Sequence, residues 1–206
     1  MNEPLPEETV HLCIDMQRLF GPGRPWATPW MERVLPRVAD LVAARPAQTV
    51  FTRFIPPMAP DDMPGMWRRY YEKWHRVTRG EIDPHWLDLM EPLSRYAPPA
   101  TTIDKTRYSA FAGSPLHAFL QRHSISCLVV TGSETDVCVL ATVLSAVDFG
   151  YRTVLVTDAV CSSSDEGHDA LLQVYHRRFS LQIEIATAEE VLDQWRSRPR
   201  RIIGAV

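Results

Sequence analysis

Ser126-Cys127-Leu128-Val129-Val130-Thr131, then Gly132-Ser133-Glu134-Thr135-Asp136, then Val137 to Phe149 and Gly150, is the stretch on which the fold turns. The first run is almost wholly apolar or β-branched and does not alternate, the pattern of a strand buried on both faces. Gly132 lets the backbone turn sharply at its end. From Val137 onward the spacing is helical until Gly150 stops it.

The same unit recurs outward in both directions. Val10 to Ile14, Thr49 to Phe54 and Thr101 to Asp104 read as earlier strands, and Thr153 to Thr157 and Leu181 to Ala186 as later ones. Between them, Trp30 to Ala44 carries Met31, Val34, Leu35, Val38, Leu41 and Val42 at helical spacing. Ser114 with Pro115 opens a helix to about His123, and Glu166 to Arg177 is another. Thr187 caps a last helix, with Glu190 completing a capping box. Alternating strands and helices with apolar central strands predict an α/β fold, a parallel sheet in a three-layer α/β/α arrangement. In such sheets the ligand crevice lies outside the carboxyl ends of the strands.

The chain has 206 residues, enough for one substantial core, and 45% of them are hydrophobic. A single domain over 1–206 is expected, with an aromatic-rich insertion at about 56–99 that holds Trp67, Trp74, Trp86, Tyr70, Tyr71 and Tyr96. That segment is too long for a plain crossover. It reads as a mixture of packing surface and lid. The formal net charge of -3 points to neither nucleic acid nor an anionic membrane as partner. The basic residues Arg196, Arg198, Arg200 and Arg201 form a small terminal cluster, expected to be solvated. Cys13, Cys127, Cys138 and Cys161 show no C-x-x-C spacing, and no apolar run approaches the ~20 residues needed to cross a bilayer. A cytoplasmic protein with free thiols is the expectation, and a homo-oligomer, dimer or tetramer, is expected from the aromatic segment.

Three polar residues fall at strand ends: Asp15, Lys105 and Cys138. Singly each has an ordinary explanation as a cap, a solvated cation or a small core residue. Together they make a nucleophile, a proton acceptor and a charge. The start of a helix and a nearby ammonium are expected to lower the thiol pKa, and Asp15 to accept the proton. The turn before Cys138 aims backbone N–H groups at the place where an oxyanion would form.

Ile14-Asp15-Met16-Gln17 with Phe20, Asp104-Lys105 with Tyr108-Ser109-Ala110-Phe111, Gly132 to Val139, and Thr157-Asp158-Ala159 after Gly150-Tyr151 resemble, in this order, the isochorismatase-like cysteine hydrolases. The resemblance runs from about Val10 to about His176. It implies a Rossmann-like sheet of six parallel strands ordered 3-2-1-4-5-6 and a triad of Asp15, Lys105 and Cys138. It also implies a cis peptide at Ser133-Glu134, and an oxyanion hole made by the amides of Glu134 and Cys138. The metal-binding Asp-x-His of the family's nicotinamidases is replaced here by Thr52-Arg53-Phe54-Ile55-Pro56, so no metal and no other cofactor is expected. What remains is hydrolysis of a small amide, ureido or carbamoyl substrate through a thioester. The alternatives are a vinyl ether hydrolase, a silent binding or assembly module of the same fold, and a redox sensor pairing Cys138 with Cys161. Gln17, Phe20 and Tyr108 are expected pocket walls. Arg53 is read either as a grip on a substrate carboxylate or as a salt bridge. Glu134 is read as selecting a cationic or hydrogen-bond-donating substrate or as facing a neighbouring subunit.

Overall fold

The computed structural model describes residue 1 and residues 3–196; of the basic cluster, Arg198, Arg200 and Arg201 lie outside the described residues. Six parallel strands form one sheet: β1 (Thr9–Ile14), β2 (Thr49–Phe54), β3 (Thr101–Lys105), β4 (Cys127–Ser133), β5 (Arg152–Cys161) and β6 (Ile183–Ala186). Their order is β3-β2-β1-β4-β5-β6. Chain order reverses between β1 and β4, so the crevice of the fold opens at their carboxyl ends. Both central strands are buried along their whole length, as their unalternating apolar runs require.

Among the described residues, six α-helices accompany the sheet: α1 (Met31–Ala44), α2 (Gly65–Lys73), α3 (Leu116–Arg122), α4 (Leu140–Asp148), α5 (Asp165–Arg178) and α6 (Ala188–Arg196). One apolar layer joins α1 and α6 to the aromatic segment, through Val38, Leu41, Val191, Trp195 and Tyr71. The other joins α3, α4 and α5, through Phe119, Leu120, Val143 and Tyr175. The sheet lies between the two. The capping box at the last helix is formed: Thr187 N donates to Glu190 Oε2 at 2.7 Å and Glu190 N to Thr187 Oγ1 at 3.3 Å. Among the described residues, no helix is long and apolar enough to cross a membrane.

Two elements differ from their sequence reading. The helix expected from Val137 begins instead with a π-helical turn, Thr135–Val139, in which Val139 N reaches Glu134 O at 3.0 Å, and only then becomes α4. Strand β5 runs on to Cys161, because a register irregularity between Val130 and Gly132 carries its pairing past the polar Thr157 and Asp158.

Gly132 holds the switch point together. Its φ is +111°, and a Cβ there would lie 2.0 Å from the carbonyl oxygen of Ile14, its partner on β1. No side chain fits between the two strands at this level. Gly132→Ala is expected to cost about 3 kcal/mol or more, a fall in melting temperature of about 6–12 °C. A thermal melt within about 2 °C of the parent would show that the junction can relax.

Candidate active site

Asp15 follows β1 with φ 49°, a left-handed conformation that aspartate tolerates better than most residues. Its backbone N–H reaches the carbonyl of Thr52 on β2, and its Oδ1 accepts from Thr52 Oγ1 at 2.7 Å. Lys105 closes β3, and its Nζ stands 2.6 Å from Asp15 Oδ2 with neither side chain exposed. The same ammonium donates to the carbonyl of Arg107 at 3.0 Å and lies 4.9 Å from the centre of the Phe54 ring. Burial alone would lower the Lys105 pKa, but the charge of Asp15 outweighs this and raises it. Lysine is thereby held as a cation.

Cys138 is 7% exposed, and its thiol lies within electrostatic reach of Asp15 and Lys105. The structure brings together the three strand-end residues singled out in the sequence. It overturns the expectation about the resting sulfur. Burial pushes the thiol pKa up by more than Lys105 pulls it down, and the charge of Asp15 pushes the same way. The free site holds a neutral thiol facing an ion pair.

The turn carrying the thiol is tied on several sides. The Ser133–Glu134 peptide is cis. The Glu134 carbonyl accepts from Val137 and Val139, and its Oε1 accepts from Ser163 N at 3.0 Å. The Glu134 carboxyl is raised, chiefly by burial and against the lowering effect of Ser163. Asp136 Oδ1 accepts from Ser162 Oγ at 2.5 Å, and Ser133 Oγ meets Thr28 Oγ1 at 3.3 Å.

Several expected site residues stand elsewhere. The guanidinium of Arg53 is engaged two-pronged by Asp104, at 2.7 and 2.9 Å. Arg53 and Asp104 are register partners one residue before Phe54 and Lys105. Strand alternation therefore turns them to the face opposite the thiol, and the carboxylate-grip reading of Arg53 is corrected to a salt bridge. Gln17 is fully buried: its amide donates to the carbonyls of Phe54 and Leu87 and accepts from Phe54 N. It is a brace between β2 and the aromatic segment rather than a pocket wall. Phe20 stacks on Trp26 at 6.2 Å, within the aromatic cluster. Cys161 packs with the α1/α6 layer and Cys138 with the opposite one, and both thiols are free.

Tyr108 is 37% exposed, and burial raises its hydroxyl pKa. Its ring lies 4.8 Å from that of Trp67, which in turn meets Tyr70 on α2 at 5.7 Å. Tyr70, Thr52 and Phe54 were not singled out in the sequence. The signal for Tyr70 was the density of aromatics alone, and that for Thr52 and Phe54 was their place at the carboxyl end of β2. A cavity of about 920 Å³ lies between α1 and α6 against Arg37, Asp40 and Trp195 and is lined by none of these groups.

An isochorismatase domain model matches residues 9–189. The chain is 29% identical to N-carbamoylsarcosine amidase of Arthrobacter sp. over 147 residues, 68% of this chain and 53% of that protein. It is 26% identical to maleamate amidohydrolase of Pseudomonas putida over 191 residues, 90% of this chain and 85% of that one. The chain spans about half the length of most of the first curated relatives it matches. Among solved structures, a cysteine hydrolase from Pseudomonas syringae pv. phaseolicola superposes with a TM-score of 0.80 over 95% of this chain and 96% of that one, at 20% identity, a likeness of fold.

The buried pair and the neutral thiol each have a measurable consequence. Lys105→Met leaves a desolvated carboxylate and is expected to cost about 3–5 kcal/mol, much of it recovered in the Asp15→Asn/Lys105→Met double variant. Urea denaturation tests this, and a loss under about 1 kcal/mol for Lys105→Met would mean that Asp15 finds another partner. Because the Cys138 thiol titrates above its ordinary range, its alkylation by iodoacetamide should keep accelerating past about pH 8.5. A plateau reached below neutrality would contradict a protonated resting sulfur.

Proposed function

The chain belongs to the isochorismatase family, and from that premise we propose that it is a metal-independent cysteine hydrolase cleaving a C–N bond in a small amide, ureido or carbamoyl substrate. One observation carries this reading: Asp15 and Lys105, from two strand ends, form a fully buried ion pair at 2.6 Å, and the Cys138 thiol after a third strand lies within reach of both charges. The names of the amidase and amidohydrolase relatives support the bond class. Among the described residues, no cluster of three or more His, Cys, Asp or Glu is placed to hold a metal ion.

In the proposed route the substrate carbonyl approaches Cys138 and excludes the remaining water. The sulfur attacks the carbonyl carbon while its proton passes to Asp15, and Lys105 steadies the charge that leaves the carboxylate and gathers on sulfur. Shifting the proton only when the carbonyl is in place suits a thiol whose burial disfavours the free thiolate. The backbone N–H groups of Glu134 and Cys138 receive the oxyanion. Asp15 then returns the proton to the departing nitrogen, leaving a thioester and a free amine or ammonia. Water, deprotonated by Asp15, attacks the thioester, and the second tetrahedral species collapses to the acid and the thiol.

A screen of primary amides, ureas and carbamoyl compounds, read by release of ammonia, tests the reading. On any substrate found, Cys138→Ala is expected to lower kcat by at least about a thousandfold and Asp15→Asn by about a hundredfold or more, with a chelator leaving turnover unchanged. Full turnover by Cys138→Ala would remove the nucleophile from the account.

A further inference from the structure

We infer that a hollow between the segment after β1 and the end of α2 binds small anions carrying two or more phosphate groups, with Arg24, Lys73 and Arg76 as the binding groups. The inference does not depend on the hydrolase reading, since none of these residues belongs to the group around Asp15, Lys105 and Cys138.

Two stretches far apart in the chain build the hollow. It is a cavity of about 570 Å³, lined by residues 23–25 from the segment after β1 and by residues 73–76 at the close of α2. That volume lies within the range of small-molecule sites, about 300–1,000 Å³. Its lining holds the cations Arg24, Lys73 and Arg76, with His75, and no carboxylate. Among the described residues, these three cations form no ion pair. Glu72, the carboxylate beside Lys73 in sequence, is engaged by Arg68 at 3.4 Å. Two other cavities that hold an arginine also hold acids: Asp40 and Glu189 with Arg37, and Asp88 and Glu91 with Arg53.

Three like charges gathered in one hollow repel each other, and in a chain of formal net charge -3 they do not reflect general basicity. The negative end of a helix accounts for Lys73, which lies in the last turn of α2. It does not account for Arg24, which arrives from another part of the chain. Arg24 is also held in a posture that suits an anion. Its guanidinium carbon stands over the Trp86 ring, 4.0 Å from the centre, so that one face of the plane is occupied and the N–H edge is left to donate. Lys73 Nζ lies 5.5 Å from the centre of the Trp74 ring, and Trp74 is itself packed on Trp26 at 6.0 Å. A planar fork of N–H groups beside a compact ammonium is the donor set that phosphate oxygens accept from. A nucleic acid asks for cations along a track, whereas these line a single hollow, which favours a compact polyanion.

Isothermal titration calorimetry of the whole chain with inorganic tripolyphosphate tests this. Saturable one-to-one binding is expected, with a dissociation constant below about 1 mM at an ionic strength of about 0.05 M, weakened by about fivefold or more at about 0.3 M. Arg24→Gln and Arg76→Gln should each weaken it by about fivefold or more. Arg33 supplies the control, because it stands over the Trp30 ring at 4.3 Å and outside this cavity. Arg33→Gln removes the same charge and should change the affinity by less than about twofold. Tripolyphosphate should also raise the melting temperature of the parent and not that of Arg24→Gln/Arg76→Gln, a comparison that reads each folded protein against itself. Absence of saturable heat up to about 10 mM tripolyphosphate overturns the inference. So do equal losses in Arg24→Gln and Arg33→Gln, which would mark general attraction to the surface. A single-stranded oligonucleotide that binds more tightly than tripolyphosphate, with an affinity rising with its length, would replace the small anion by a nucleic acid and overturn it as well.

Discussion

Two opposite charges with no access to water, the Lys105 ammonium and the Asp15 carboxylate 2.6 Å apart, are what the rest of the molecule is arranged around. Removing either ion from water costs several kcal/mol, and mutual attraction offsets that only in good geometry with the remaining valences satisfied. The sheet order provides the geometry. Asp15 and Lys105 end strands β1 and β3, with β2 between them. The intervening strand is therefore part of the site: Thr52 holds the Asp15 oxygen that Lys105 does not reach, and Phe54 offers its ring to the ammonium. Gln17, bonded to both backbone groups of Phe54, fixes where that strand ends. Each contact also removes a way for the pair to come apart.

The strand-end positions of the reactive residues were legible because parallel strands buried on both faces announce themselves as apolar runs, and a polar residue after such a run stands out. Asp15, Lys105 and Cys138 could be read this way. Thr52 could not, since threonine is at home inside strands and nothing marks one hydroxyl as a hydrogen-bond donor to a distant carboxylate. The side of the sheet on which Arg53 lies depends on its register with Asp104, a relation between two strands rather than a property of either. The π-helical turn was hidden for a related reason. Residues 137 to 149 have helical spacing, and one extra residue in the first turn does not alter it. The length of β5 was hidden by Thr157 and Asp158, which read as a strand end but sit at an irregular stretch of the pairing.

The error about the sulfur has a plain physical source. Sequence shows which charges can come near a thiol, but not how completely water is removed from it. Lys105 does favour the thiolate; the withdrawal of solvent opposes it more strongly, and Asp15 opposes it too. A permanently ionised sulfur in so closed a place would need a cation not already answered by a carboxylate. The site holds a closed ion pair beside a neutral thiol, and in the proposed route the proton moves only when a carbonyl arrives to take up the charge.

Scaffold and selection come from different parts of the chain. The sheet and its strand ends set which bond can be attacked, and they depend on buried residues that tolerate little change, Gly132 against Ile14 above all. The aromatic groups gathered around Phe54 come mostly from outside the sheet. Trp67, Tyr70 and Tyr71 lie on α2 and Tyr108 follows β3. Changing those residues leaves the Asp15–Lys105 pair and its Thr52 partner in place. The same segment is joined to the turn after β1 at the Gln17–Leu89 bridge and packs through Tyr70 and Trp26 on Phe54, whose ring faces the Lys105 ammonium. A substitution in the aromatic wall that opened it would therefore alter two things together: the fit of the ligand, and the dielectric in which Asp15 and Lys105 hold their charges.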